Sequence, residues 1–145
     1  MTGRRLTSDP EIHDLLHATR TVAVVGLSPR SHRPSHRVAR YLQSVGYRII
    51  PVHPAGGTIL GEKVFGTLSE AVDEVGPVDV VDVFRRPEAL PELLPQVIAV
   101  RPRAAWLQLG VVHREAEETA LAGGLDLVVN FCMLVEHQRL LGSRS

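Results

Sequence analysis

A chain of 145 residues fits one domain and should bury roughly 70% of the surface its unfolded form exposes, enough to fold without disulfide or metal staples. Basic and acidic residues, 16 of each, balance to a formal net charge of 0, and aromatics make up only 4% of the chain, which argues against a general nucleic-acid binder built on basic surface and stacking rings. The lone cysteine, Cys132, excludes an intramolecular disulfide framework; with no apolar leader and no run near the ~18 apolar residues that span a bilayer, the expected protein is cytoplasmic, without a membrane partner.

The chain opens with Ser8-Asp9-Pro10-Glu11, a capping box with proline in the first turn, followed by Ile12, Leu15 and Leu16 on one helical face. His13 and His17 stand four apart on that helix, a spacing that suits a metal, but no third ligand is evident. Residues 21–25 are apolar in succession rather than in alternation, the pattern of a parallel strand buried on both faces. Gly26 ends this run, and Val38, Tyr41, Leu42 and Val45 then recur at helical spacing as far as Gly46. A second strand covers 47–52, and Pro51 suits a strand terminus better than a central ladder. Lys63-Val64-Phe65 reads as a short extended piece, and Thr67-Leu68-Ser69-Glu70 as a second capping box opening a helix that Gly76-Pro77 stops.

Residues 78–84 form the next strand, and a helix carrying Leu90, Leu93, Leu94, Val97 and Ile98 follows, with Pro95 expected to delay its start or bend it. Residues 104–107 are a strand, 115–122 a helix stopped by Gly123-Gly124, and 125–129 the last strand. From Glu136 onward the chain reads as a polar tail, a frayed helix at most. Strands alternating with helices predict an α/β fold: one Rossmann-like, doubly wound, mainly parallel sheet with the first strand central, in a single domain whose core runs from about residue 6 to 136.

In such a sheet, ligands bind beyond the carboxyl ends of the strands, where the strand order reverses. That edge collects the turn from Gly26 to Arg37, His53-Pro54, Phe84-Arg85-Arg86 and Gln108-Leu109-Gly110. Between Leu15 and Gly61 there is no Asp or Glu, while Arg20, Arg30, Arg33, Arg37, Arg40 and Arg48 all fall there. This suits a polyanionic small ligand, or alternatively is a solvated basic face. A dinucleotide cofactor would call for G-x-G-x-x-G and an acid ending the second strand, but the turn keeps only Gly26 and the strand ends in His53. No G-x-x-x-x-G-K-[ST] loop is present either. Anion donors of another kind remain: the hydroxyls of Ser28 and Ser35 and the guanidinium groups of Arg33 and Arg37. His32 and His36 flank these arginines, either as further cations or as plain solvent-exposed side chains.

G-x-S-P-x-x-x-R-P-S-x-x-V after an apolar strand, V-x-P ending the second, then V-D-V-F-R-R and W-x-Q-L-G-V together resemble the small CoA-binding-domain proteins. These are free-standing relatives of the CoA-binding domain of the succinyl-CoA synthetase α subunit. The resemblance implies coenzyme A, or an acyl-CoA, held noncovalently. It places Gly26, Ser28, Arg33, Ser35 and Arg37 on the phosphate side. His53, Pro54, Phe84, Arg85, Arg86, Gln108 and Gly110 would line the adenosine or pantetheine channel. Two positions differ from the family's usual pattern, His53 for asparagine and Asn130-Phe131-Cys132-Met133 for an acid-arginine-cysteine-proline run.

No catalytic residue is identified. Cys132 reads as an inert small residue, the alternative being a mixed disulfide with the CoA thiol under oxidation. Asp79 and Asp82 read as partners of arginines rather than a catalytic pair, and Trp106 as core packing. A noncatalytic binding module is therefore the leading expectation. The alternatives are a nicotinamide-dependent reductase and an accessory subunit of an acyl-CoA ligase.

Overall fold

The apolar runs become strands because each is buried on both faces. In the computed structural model, which describes residues 2–142, the strands in chain order are β1 (Thr21–Val25), β2 (Arg48–Val52), β3 (Thr58–Ile59), β4 (Glu62–Lys63), β5 (Val80–Val83), β6 (Ala104–Leu107) and β7 (Leu127–Val129). Five of them form one sheet in the order β2-β1-β5-β6-β7, every neighbouring pair parallel. β5 therefore takes the middle, and β1 lies one strand in from β2. The expected central first strand is corrected to this extent. The order still reverses between β1 and β5, so the carboxyl ends of these two strands mark the crevice.

Helices cover both faces. α1 (Asp9–Ala18), α2 (Pro34–Ser44) and α6 (Met133–Leu140) lie on one side; α3 (Leu68–Val75), α4 (Leu90–Val100) and α5 (Arg114–Ala122) lie on the other. Alternation along each strand divides the core accordingly. Ala23, Val25, Val81, Val83, Ala105 and Leu107 pack under α3, α4 and α5, while Val22, Val24, Val80, Ala104, Trp106 and Val128 pack under α1, α2 and α6. Asp82, two residues beyond Val80, points into this second layer. Trp106 is fully buried there, and its indole N–H donates to the Phe131 carbonyl at 2.8 Å. No helix among the described residues is long and apolar enough to cross a membrane.

Local chemistry sets the helix ends. Ser8 and Glu11 form the reciprocal box of α1. Thr67 accepts the Glu70 N–H at 3.1 Å, but Glu70 returns to the Thr67 hydroxyl rather than to its backbone, so this box is half made. Pro95 lies inside α4 and does not delay its start. The strands read as 78–84 and 125–129 are shorter at both sites, at Val80–Val83 and Leu127–Val129. Short segments flank both outer strands of the sheet: Phe65 bridges Val52 of β2, and Arg5 bridges Leu127 of β7.

Two elements differ from the sequence-based expectation. The piece read as extended over Lys63-Val64-Phe65 belongs to a hairpin, β3 with β4, whose two-residue turn has positive φ at both Leu60 (54°) and Gly61 (77°). Such turns usually declare themselves with asparagine or aspartate before glycine, and leucine hides the signal. The stretch from Glu136 is no frayed tail: α6 is a docked helix with Met133, Glu136 and His137 all buried. Arg139 pairs with both Asp9 and Glu136, and the His137 ring meets the edges of Tyr41 and Tyr47 while its Nδ1 bonds the Tyr41 hydroxyl at 2.7 Å. Tyr41→Phe strands that histidine nitrogen and should lower stability by about 1 kcal/mol, read as a lower urea midpoint at unchanged m.

Candidate functional site

The turn after β1 starts at a glycine that no other residue can replace without strain. Gly26 has φ +86°, and a Cβ there would stand 2.2 Å from the carbonyl oxygen of Phe84 at the end of β5. Past Gly26 the chain drops Leu27 into the core, fully buried, and residues 28–33 form a braced loop. The Ser28 N–H donates to Ser35 Oγ at 3.0 Å, and the Arg30 N–H donates to Ser28 Oγ at 3.1 Å. His36 Nδ1 lies 3.0 Å from the Ser28 carbonyl, so this nitrogen carries the hydrogen. His36 is buried rather than solvent-exposed, and this bond ties helix to loop. His32 is exposed.

The loop delivers the first turn of α2. Pro34 stands at its first position, where the absent N–H loses nothing. The N–H groups of His36 and Arg37 return to the Arg33 carbonyl, each at 3.1 Å, which leaves the Ser35 N–H without a protein acceptor among the described residues. This N–H and the helix N-terminus face an open cleft of ≈ 910 Å³.

The cleft brings together ten of the twelve residues selected from sequence: Gly26, Ser28, Arg33, Ser35, His53, Phe84, Arg85, Arg86, Gln108 and Gly110. Arg30 joins them, so four arginines and one histidine line the wall, and no carboxylate does. Pro54 lines instead an adjoining hollow of ≈ 490 Å³ that shares Gly26, His53, Phe84 and Arg85 with the cleft. Arg37 lines neither: one position round the helix from His36, it is turned to solvent.

Three further features shape the wall and its support. Cys132, at the N-cap of α6, is half-buried and lines the cleft although it is remote in sequence from the first turn. Asn130, with φ +65°, accepts the Gly110 N–H at 2.8 Å and holds the β6 exit loop in place. Beneath the floor, Asp82 is fully buried and bonds no arginine; Gln108 Nε2 donates to its Oδ1 at 2.5 Å, and its Oδ2 has no partner. Burial pushes the Asp82 carboxyl up to about 7, opposed in part by the Gln108 hydrogen bond. Asp79 does match its expectation, with Arg103 at 3.6 Å, and it also accepts the N–H groups of Arg20 and Thr21.

Comparison with known proteins adds the lineage. The family model described as CoA binding domain matches residues 20–138. The uncharacterized protein YneT of Bacillus subtilis (strain 168) is 38% identical over 130 residues, spanning 90% of this chain and 94% of that protein. The solved structure of cell-free ID.343 from Thermus thermophilus is 41% identical, covers 93% of this chain and 100% of its own, and superposes with a TM-score of 0.87. A hypothetical protein from Pyrococcus horikoshii OT3 is 34% identical, with 94% of each chain covered and the same TM-score of 0.87.

Gly26→Ala combines a left-handed backbone with a carbonyl clash and should lose at least about 2 kcal/mol in chemical denaturation. Asp82→Asn removes a buried charge while keeping an acceptor for Gln108. Because the native carboxyl titrates near 7 and the unfolded one near 3.9, the folded state holds the extra proton between these values and wild-type stability falls as pH rises through that window. The variant should therefore exceed wild type by up to about 4 kcal/mol at about pH 8, and the gain should vanish below about pH 4 in urea titrations.

Proposed function

The chain belongs to the CoA-binding domain family, and from that premise we propose that it holds coenzyme A or an acyl-CoA noncovalently, as a binding module that does not turn its ligand over. The observation that carries the reading is the charge of the cleft: Arg30, Arg33, Arg85 and Arg86 converge on one wall with no carboxylate among the lining residues. Guanidinium groups fork onto phosphate oxygens, and a helix N-terminus with a free N–H adds a further donor. Ser28 and Ser35 already spend their oxygens as acceptors inside the loop, so their hydroxyl hydrogens are what they offer a phosphate.

Coenzyme A supplies several phosphates, an adenine and a long thiol-ended arm. The adjoining hollow past His53 and Phe84 extends the cleft and fits a ligand with several parts. A nicotinamide dinucleotide would want a carboxylate for its ribose at the end of β2, where His53 stands. The cleft itself offers no carboxylate base for acyl transfer, and Glu92, on α4 in the adjoining hollow, is the one carboxylate of the combined lining.

The direct test denatures the purified protein, identifies released nucleotide by mass spectrometry, and titrates CoA against NAD by calorimetry. CoA should be recovered and should bind in preference to NAD; tight NAD binding with no response to CoA would overturn the proposal. Arg33→Ala should weaken CoA about tenfold, the share of one charge-assisted hydrogen bond at an exposed position, and flatten the dependence of affinity on salt. Unchanged affinity removes Arg33 from the site.

A further inference from the structure

Asp82 is the one described side chain with a fully buried polar atom that nothing satisfies. It sits mid-sheet, with Val24 of β1 and Trp106 of β6 as its register partners, in a layer of apolar side chains. The titratable groups carried into this layer have partners of their own. His36 bonds the Ser28 carbonyl, Tyr41 bonds His137, Tyr47 donates to the Leu16 carbonyl, and Glu136 pairs with Arg139. Cys132, Arg33, Arg85 and Arg86 line the cleft, and burial and Gln108, not a cation, set the state of Asp82. What Asp82 touches is Gln108, two residues past Trp106 on the same face of the sheet and itself part of the cleft.

An amide has a donor end and an acceptor end, and a carboxylate accepts only from the donor end. We propose that Asp82 is a positioning residue for the ligand: by drawing the Nε2 end of Gln108 down into the core, it leaves Oε1 as the end offered to the cleft, so the ligand group seated there is a hydrogen-bond donor. An amide N–H, an exocyclic amine or a hydroxyl meets this demand; a phosphate oxygen does not. The inference rests on the coenzyme A reading. CoA brings such donors in two places, the amides of its pantetheine arm and the amine of its adenine.

Protonation removes the constraint. A neutral carboxyl both donates and accepts, so Gln108 is then free to present either end. The orientation is thus enforced above the pH at which Asp82 titrates and relaxed below it.

The experiment measures CoA affinity of wild type and Asp82→Asn at about pH 8.5 and about pH 5.5, beside thermal stability of both proteins. The variant should bind about twofold more weakly at the higher pH, because an amide free to present either end offers its acceptor to the ligand only about half the time. That gap should close at the lower pH, with no loss of stability at either. A merely structural role would lower stability together with affinity, and simple repulsion between Asp82 and phosphate would make the variant bind more tightly at high pH. Either result, or a loss equal at both pH values, overturns the proposal. ADP, which lacks the pantetheine arm, and phosphopantetheine, which lacks adenine, assign the donor by which of them reproduces the gap; a gap in neither also overturns it. If wild type binds no CoA, the coenzyme A reading fails on its own, and the Gln108 side-chain amide resonances then decide the positioning claim. In isotope-labelled wild type without ligand they should move with a midpoint near pH 7 and stay fixed in Asp82→Asn, whereas resonances that do not move in wild type overturn it.

Discussion

The close approach of two strand ends governs this molecule. β1 and β5 run parallel and in register to their last residues, and the Phe84 N–H still bonds the Val25 carbonyl at 2.9 Å where the strands stop. Two chains must leave that point without colliding. Gly26 makes it possible, because it alone tolerates both the left-handed backbone and the Phe84 carbonyl against its α-carbon. From this contact one chain turns up into the braced loop and α2, and the other carries Arg85 and Arg86 away. The arginines converge because the strand ends touch.

The same crowding divides labour among the site residues. Side chains that sequence patterns mark as ligands for anions, Ser28, Ser35 and His36, hold the loop in shape through their own hydrogen bonds. Charge comes from exposed arginines lining the cleft, and direction comes from backbone N–H groups that the loop fixes. Fixed backbone donors with exposed cations around them suit a ligand anchored by its phosphates. Asp82 departs from this scheme: a protein seldom leaves a carboxylate oxygen unsatisfied in its core without another use for it.

Much of this was legible in the sequence. Runs of unbroken apolar residues marked the parallel strands, and glycine and proline marked most of the element ends. Ten residues of the cleft could be found because exits of adjacent parallel strands share one edge, whatever the register. Rotation about a helix was less legible, which is how Arg37 came to be counted, and Arg30 was passed over because it lies in the loop before α2, where no periodicity tells which side chains face the cleft. α6 was hidden because polarity reads as solvent; His137 is held by Tyr41 of α2, and the buried Glu136 pairs with Arg139, which reaches across to Asp9 of α1. The Asp82 to Gln108 contact joins residues on different strands and depends on the β5 to β6 register, which no local pattern specifies.

The short bridges at the two ends of the sheet have a consequence for how the molecule meets its own copies. A parallel sheet with open margins is a template for another chain's backbone. Here the Pro51 carbonyl accepts the Phe65 N–H, the His53 N–H donates to the Phe65 carbonyl, and Pro51 itself has no hydrogen to give. At the far margin, Leu127 exchanges hydrogen bonds with Arg4 and Leu6. Each margin is occupied by a few residues of the same chain, which leaves no uninterrupted ladder for intermolecular strand addition. Self-association, where it occurs, is thereby directed to helices and loops, and the arginine-rich cleft stays clear of sheet-to-sheet contacts.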